Sequence, residues 1–339
     1  MKICIFTDPH FCAKSSILRK RGSKYSLRLH YEIDSLNWVR EQAGLNTCDA
    51  IFCLGDFFDQ SSVNAEESAA LSEVNWGNLS WNFIVGNHDA STQSLEYSTA
   101  HLLTLCPNSY VITEPQCFVS NETRFLILPY ITEDERKPLP EYLTTEKPYK
   151  KTLILSHNDI KGINYAGFES KIGFGLDDIK QNCDLFVNGH LHNGEKINNQ
   201  LINLGNLLGQ NFSEDAFKYS HNIMILDTDT LSYRLIENPF AINFYKLNNI
   251  DELRQIKNNS VITIKVKDLD YLNVKNIIEN DPRILESRII IERELVEDDK
   301  NVKQIELTKM DHFEQFRDYI FSNVGLDDII KEELEEILK

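Results

Sequence analysis

Five times along this chain an apolar run stops abruptly at a polar tip rich in metal-ligating side chains. Ile3 to Phe6 leads into Asp8-Pro9-His10, and Ala50 to Leu54 into Gly55-Asp56-Phe57-Phe58-Asp59. Trp81 to Val85 leads into Gly86-Asn87-His88-Asp89, Thr152 to Leu155 into Ser156-His157-Asn158, and Asp184 to Val187 into Asn188-Gly189-His190-Leu191-His192. Short apolar runs bounded by turn residues read as buried strands. A strand that stops at a glycine leaves the next side chains on a loop at the carboxyl edge of its sheet, where open α/β sheets place their chemistry. One Asn-His-Asp triplet is an ordinary turn; five ligand-bearing strand ends point to a single site.

The spacing between these runs sets the architecture. A helix is expected from Leu27 to about Glu41, with Leu29, Ile33, Leu36 and Val39 on its apolar face. An acidic helix near Glu66 to Val74 follows the second strand, and this β-α-β-α-β alternation implies parallel strands. Ser98 to Leu105 reads as helical, and short strands follow at Tyr110–Thr113, Cys117–Ser120 and Phe125–Leu128. Residues 132–150 suit a surface loop and the Gly-rich segment 162–175 a lid, while 196–235 carries hairpin signals. The expected fold class is therefore α/β, two mixed sheets packed face to face with helices outside. From Phe244 a smaller βαβαβ pattern restarts. The expected domains are 1–240, a cap at 241–293, an acidic linker at 294–306, and two amphipathic helices at 307–339. Fourteen acids against six bases give Glu294 to Lys339 a net charge of −8.

The overall net charge of −17 argues against coating nucleic acid by bulk electrostatics. It leaves room for a local site, and Lys14 to Arg28 carries six bases and no acid. Of these, Lys14, Arg19, Lys20, Arg21 and Lys24 are candidates for phosphate contact beside the site, the alternative being a solvated loop. The seven scattered cysteines form no CxxC pair and read as reduced core residues. No apolar run is long enough to span a membrane, and ligand residues begin at Asp8, which leaves no room for a signal peptide. A cytoplasmic protein is expected, or a phage-encoded one acting in the host cytoplasm. The chain has no GxxxxGK[ST] loop of its own.

Mixed Asp, His and Asn ligands without thiolate suit manganese, iron or zinc. Six or seven ligands are too many for one ion with open positions and suit two that share a carboxylate, with Asp56 central in strand order as the bridge. Paired ions clamp the attacking and leaving oxygens of a phosphoryl displacement and acidify a bound water.

Asp-x-His, GDxxD, GNHD, a lone His and GHxH in this order resemble the five motifs of the calcineurin-like metallophosphoesterase superfamily. Within it, "GDFFD", "GNHD" and "CDLFVNGHLHN" look most like the SbcD-type nuclease subunits of DNA double-strand-break repair, which include the meiotic recombination nuclease and phage recombination endonuclease subunits. The superfamily's protein phosphatases carry Arg and Glu where this chain has Gln60 and Asp89. The resemblance extends through "INLGNLLGQNFSEDAFKYSHNIMILD", a small α/β capping domain and the C-terminal helices, and it implies a four-layer sandwich. It implies that Asp8, His10, Asp56 and His192 hold one ion and Asp56, Asn87, His157 and His190 the other. His88 would be the acid for the leaving oxygen, oriented by Asp89. Mn2+ is the implied ion. The implied partners are DNA, an SMC-like coiled-coil ATPase gripping the C-terminal helices, and a second copy of the chain. The alternatives are a phosphoesterase for small phosphodiesters or phosphoproteins, and a non-catalytic adaptor for the ATPase. Asp59 is expected to brace the loop, and His30, His101, His221 and His312 to be ordinary core or surface residues.

Overall fold

Strand β1 (Lys2–Phe6) is apolar along its whole length because both of its faces are covered. Ile3 and Ile5 point into the space between two sheets, while Cys4 and Phe6 point to the helices outside. The same division holds along β2 (Ala50–Cys53), β3 (Ser80–Ile84) and β4 (Ser109–Ile112), all parallel to β1. The structure, a computed structural model, describes residues 1–91, 95–165 and 168–292. The expected acidic linker and terminal helices lie outside the described residues.

The second sheet is built from β5 (Gln116–Ser120), β6 (Thr123–Leu128), β7 (Lys151–Ser156), β8 (Leu185–Asn188), β9 (Glu195–Lys196) and β10 (Leu201–Asn203). Its order is β9-β10-β8-β7-β6-β5, with the four inner strands parallel and the two edges antiparallel. Strands β11 (Asn222–Asp227) and β12 (Tyr233–Glu237) return to the first sheet, whose order is β12-β11-β1-β2-β3-β4. Between the sheets Ile3, Ile5, Phe52 and Leu54 meet Phe125, Ile127, Leu153, Leu155 and Val187. Helices α1 (Leu27–Leu45) and α2 (Ala65–Leu71) cover the first sheet. A single turn, α3 (Leu139–Tyr142), and α4 (Leu176–Asn182) cover the second. The result is the expected sandwich of two mixed sheets flanked by helices.

Local chemistry explains the helix limits. Ser26 caps α1 by accepting from Leu29 N, and Asn64 and Glu67 form a reciprocal capping box on α2. The α1 helix runs past the expected Glu41 to Leu45, because Gly44 sits in open space and nothing stops the chain before Asn46. Residues 99–105, expected to be helical, form a 3-10 helix. The 132–150 loop includes α3, and at the end of the Gly-rich segment Phe174–Gly175 pairs with Ile160–Lys161.

Three parallel strands, β13 (Asn243–Leu247), β14 (Ser260–Lys267) and β15 (Ile284–Glu292), with helix α5 (Tyr271–Glu279), form the expected βαβαβ pattern. Tyr245, Ile262, Ile264, Val274 and Ile278 make its core. Its other side joins Ile242, Phe244 and Val261 to Leu18 and Leu208 of the preceding chain, and Met1–Glu292 forms one compact unit. No described helix is long and apolar enough to cross a membrane.

Candidate metal centre

Strand register brings the polar tips level. Phe6 lies opposite Cys53 and Cys53 opposite Phe83 in one sheet, and Ser156 opposite Asn188 in the other. The first two tips continue as a ladder beyond the strands, Asp8 N donating to Gly55 O at 3.1 Å and His10 N to Asp56 O at 3.2 Å. The backbone there is bent sharply. Asp8, His10, Asp56 and His190 have φ of 49°, 48°, 47° and 71°, in the left-handed region that non-glycine residues seldom adopt. Such strain persists where surrounding structure imposes it, and it concentrates at functional sites.

Glycines let the tips close in. A Cβ on Gly86 would lie 2.1 Å from Asp56 Oδ1, and one on Gly189 would lie 2.2 Å from Thr7 Oγ1. Gly55, at φ +128°, has no room for one either, with His157 Nδ1 at 2.2 Å. The glycine before each acid, Asn or His is thus set by close approach.

Six of the expected ligands fall into two clusters. Ligand atoms of Asp8, His10 and His192 lie within 4.8 Å of one another, and so do those of Asp56, His157 and His190. His10 Nε2 lies 3.1 Å from His192 Nε2 and 3.7 Å from Asp8 Oδ1. Asp56 Oδ2 lies 3.1 Å from His157 Nε2 and 4.0 Å from His10 Nε2, so one carboxylate faces both groups. Asp8 Oδ1, Asn87 Oδ1, Nδ1 of His157 and Nδ1 of His190 are buried without a hydrogen-bond partner. Buried polar atoms are rarely left so. Convergent oxygen and imidazole lone pairs with no thiolate are the donor set of a divalent cation, and these residues fit two such ions around Asp56.

The electrostatics agree. Burial pushes the Asp56 carboxyl up, but His157 and His10 outweigh it and hold Asp56 well below the usual carboxylate range. Asp8 is lowered to about 2, with His157 and His10 again outweighing burial. Burial favours neutral His10 and His157, yet Asp59 and Asp8 raise His10 to about 10, and Asp56 and Asp8 raise His157 to about 9. In the metal-free protein both imidazoles therefore carry protons at neutral pH.

His88 stands exposed at the rim, its ring edge-on to His10 at 4.8 Å between centroids. Its Nδ1 lies 2.9 Å from Asp59 O. The structure corrects one expectation here: Asp89 does not orient His88. The Asp89 carboxylate is fully buried and accepts from Phe58 N and Gly86 N, both at 2.9 Å, tying the third tip to the second. A carboxylate two residues beyond Asn87 turns inward, where backbone donors without other partners compensate its burial. Burial and the charge of Asp56 raise Asp89 to about 7 against those N–H bonds.

The basic stretch divides. Arg21 pairs with Glu66 at 2.9 Å and Lys24 pairs with Glu73, so both are engaged by α2 and the turn after it. Lys14 lines a small cavity of about 120 Å³ with Asp59 and Gln60, and Lys20 is exposed. Arg19 lines a crevice of about 490 Å³ with Phe212 and with Arg288 of β15. Arg28 is buried: it pairs with Glu32 at 2.9 Å and donates to the carbonyls of Pro9, His10 and Gly209. That clamp, Asp159 beside His190, and Glu214 beside His192 were not legible as site residues in the sequence. Glu214 lies 22 residues beyond His192, and only its place in a run already tied to the family marks it.

Fold and site together define a dimetal phosphoesterase architecture. Residues 1–194 match the family model described as calcineurin-like phosphoesterase, more than half of the chain. The chain belongs to the calcineurin-like phosphoesterase family. A sequence comparison with curated proteins finds no match. Among solved structures, a dimetal phosphatase from Danio rerio is similar at 13% identity and a TM-score of 0.41, over 70% of this chain and 98% of that one. The phosphoesterase Yfce from E. coli is similar at 12% identity and a TM-score of 0.33, over 70% of this chain and 100% of that one. Calcineurin-like phosphoesterase YfkN from Bacillus subtilis is similar at 10% identity and a TM-score of 0.36, over 70% of this chain and 88% of that one. Likenesses this distant carry no functional weight.

Proposed function

We propose that this phosphoesterase is the Mn2+-dependent nuclease subunit of a DNA double-strand-break repair or recombination complex. The observation that carries the reading is the SbcD-like motif set, "GDFFD", "GNHD" and "CDLFVNGHLHN", on one chain with a three-stranded cap that follows the phosphoesterase sheets. Asp8, His10, Asp56 and His192 would hold one ion, and Asp56, Asn87, His157 and His190 the other. When bound, the pair supplies charge neutralisation for a phosphoryl group and a water acidified for attack. The chain's own part is to hold that set rigid and to manage the leaving oxygen. Asp59 O accepts from His88 Nδ1–H and so fixes the ring, and as an imidazolium His88 would also carry an Nε2 proton at the rim to donate to the leaving group. Exposed Lys14 and Lys20, with Arg19 at the cap crevice, supply the local positive charge that an acidic chain needs to hold a phosphate backbone. The partners in this reading are an SMC-like coiled-coil ATPase bound by residues 307–339 and a second copy of the chain.

One observation favours a second reading, a phosphoesterase for small phosphodiesters. A crevice of about 650 Å³ lies beside the site, lined by Thr113, Glu114, Tyr130, Thr132 and Lys137, and its size is that of a small-molecule pocket. Tyr130 reaches within 5.7 Å of the His190 ring, centroid to centroid. The test is cleavage of linear duplex DNA with Mn2+, by the chain alone and with a coiled-coil ATPase partner. Degradation of the duplex in either case supports the nuclease. Hydrolysis of a small phosphodiester with intact DNA in both cases overturns it in favour of the second reading.

A further inference from the structure

Two carboxylates outside the five ligand motifs meet ligand imidazoles from behind. Glu214, 3% exposed, places Oε1 at 3.2 Å from His192 Nδ1. The same oxygen accepts from Asn206 Nδ2 at 3.0 Å, and Oε2 accepts from Gln210 N at 2.8 Å. An ionised carboxylate only accepts, so it draws the His192 proton to Nδ1 and leaves the Nε2 lone pair, 3.1 Å from His10 Nε2, for an ion. His190 is arranged the other way round. Asp159 Oδ1 lies 3.2 Å from His190 Nε2, and Nδ1 is buried with no hydrogen-bond partner. The proton therefore belongs on Nε2 and the free lone pair on Nδ1. His221 serves this arrangement, its Nδ1 lying 2.9 Å from the Asn206 side-chain oxygen and so fixing the residue that holds Glu214.

We propose that Glu214 and Asp159 are positioning residues, one for each ion, that set opposite tautomers on two ligand histidines. His192 then binds through Nε2 and His190 through Nδ1. A carboxylate behind an imidazole orients the ring and raises its basicity, and removing such a group costs about 10–100-fold in metal affinity. The inference rests on the two-ion reading of the site and not on DNA as the substrate.

The experiment is a calorimetric titration of the metal-free full chain with Mn2+, for wild type, Glu214→Gln and Asp159→Asn. Each variant is expected to weaken one of two binding steps by about 10–100-fold and to leave the other in place, a selectivity that a general loss of structure does not produce. In the Zn2+-loaded wild type, long-range proton–nitrogen NMR should show the proton on Nδ1 of His192 and on Nε2 of His190. Unchanged affinities in both variants, or the reverse tautomers, overturn the inference while two-step binding by the wild type upholds the two-ion reading. A wild type that binds no Mn2+ overturns both. Should Glu214→Gln lose its fold, the more exposed Asp159 decides through its own variant and the wild-type tautomers.

Discussion

His88 and Asp89 are neighbours in sequence and part company in space, one exposed at the rim and the other buried among backbone donors. His88→Ala is expected to lower turnover by about 10²–10⁴-fold, the range of a lost general acid, with metal content unchanged. Loss of both metal and activity would make His88 a ligand, a role its nearness to His10 and Asp56 permits. Gly86→Ala tests the close approach: its Cβ cannot coexist with Asp56 at 2.1 Å, so the folded variant should bind Mn2+ poorly, as read by metal content after dialysis. Because His10 and His157 are raised to about 10 and 9 in the metal-free protein, ion binding at pH 7 must release their protons. Affinity should therefore rise with pH from 6 to 8, and calorimetry in buffers of different ionisation enthalpy should register proton release. At this scale the clustered Asp and His residues were readable because each stands on a polar tip that ends an apolar run. The direction in which Asp89 turns was not, since it depends on donors at Phe58 and Gly86 that only the assembled loops bring together.

Strands and helices show what patterning can and cannot carry. Runs such as Ile3 to Phe6 and Thr152 to Leu155 were legible as strands because both faces are buried and polar residues end them. Leu155 lies in the layer between the sheets and is fully buried. Leu155→Ala should cost about 2–5 kcal/mol in chemical denaturation. The length of α1 was not legible, because the apolar face that marks it ends at Val39 while the helix runs on to its cap at Asn46. The role of Arg28 was hidden for a related reason. It was read as one of six bases in a basic stretch, yet it faces the interior and clamps the carbonyls of Pro9 and His10. Arg28→Met leaves Glu32 as an unpaired buried charge, and that change should be strongly destabilising, about 3–5 kcal/mol in the same assay.

For the whole molecule, the phosphoesterase sandwich and the βαβαβ pattern after it were readable because each repeats a regular alternation of strand and helix. The packing of Phe244 and Val261 against Leu18 and Leu208 was not, since nothing local encodes it. On the proposed reading, deleting residues after about 305 is expected to spare metal binding and abolish co-purification with the proposed coiled-coil partner, with metal content read in the same samples. Asp56 is the point on which the account turns, because it alone is required by both ions. The most direct test is the Mn2+ stoichiometry of Asp56→Ala beside wild type, with hydrolysis of bis(p-nitrophenyl) phosphate followed in the same samples. Two ions and Mn2+-dependent hydrolysis are expected in the wild type, and loss of tight binding at both sites together with activity in the variant. A wild type holding a single ion, or an Asp56→Ala protein that keeps two ions and full activity, would contradict this expectation.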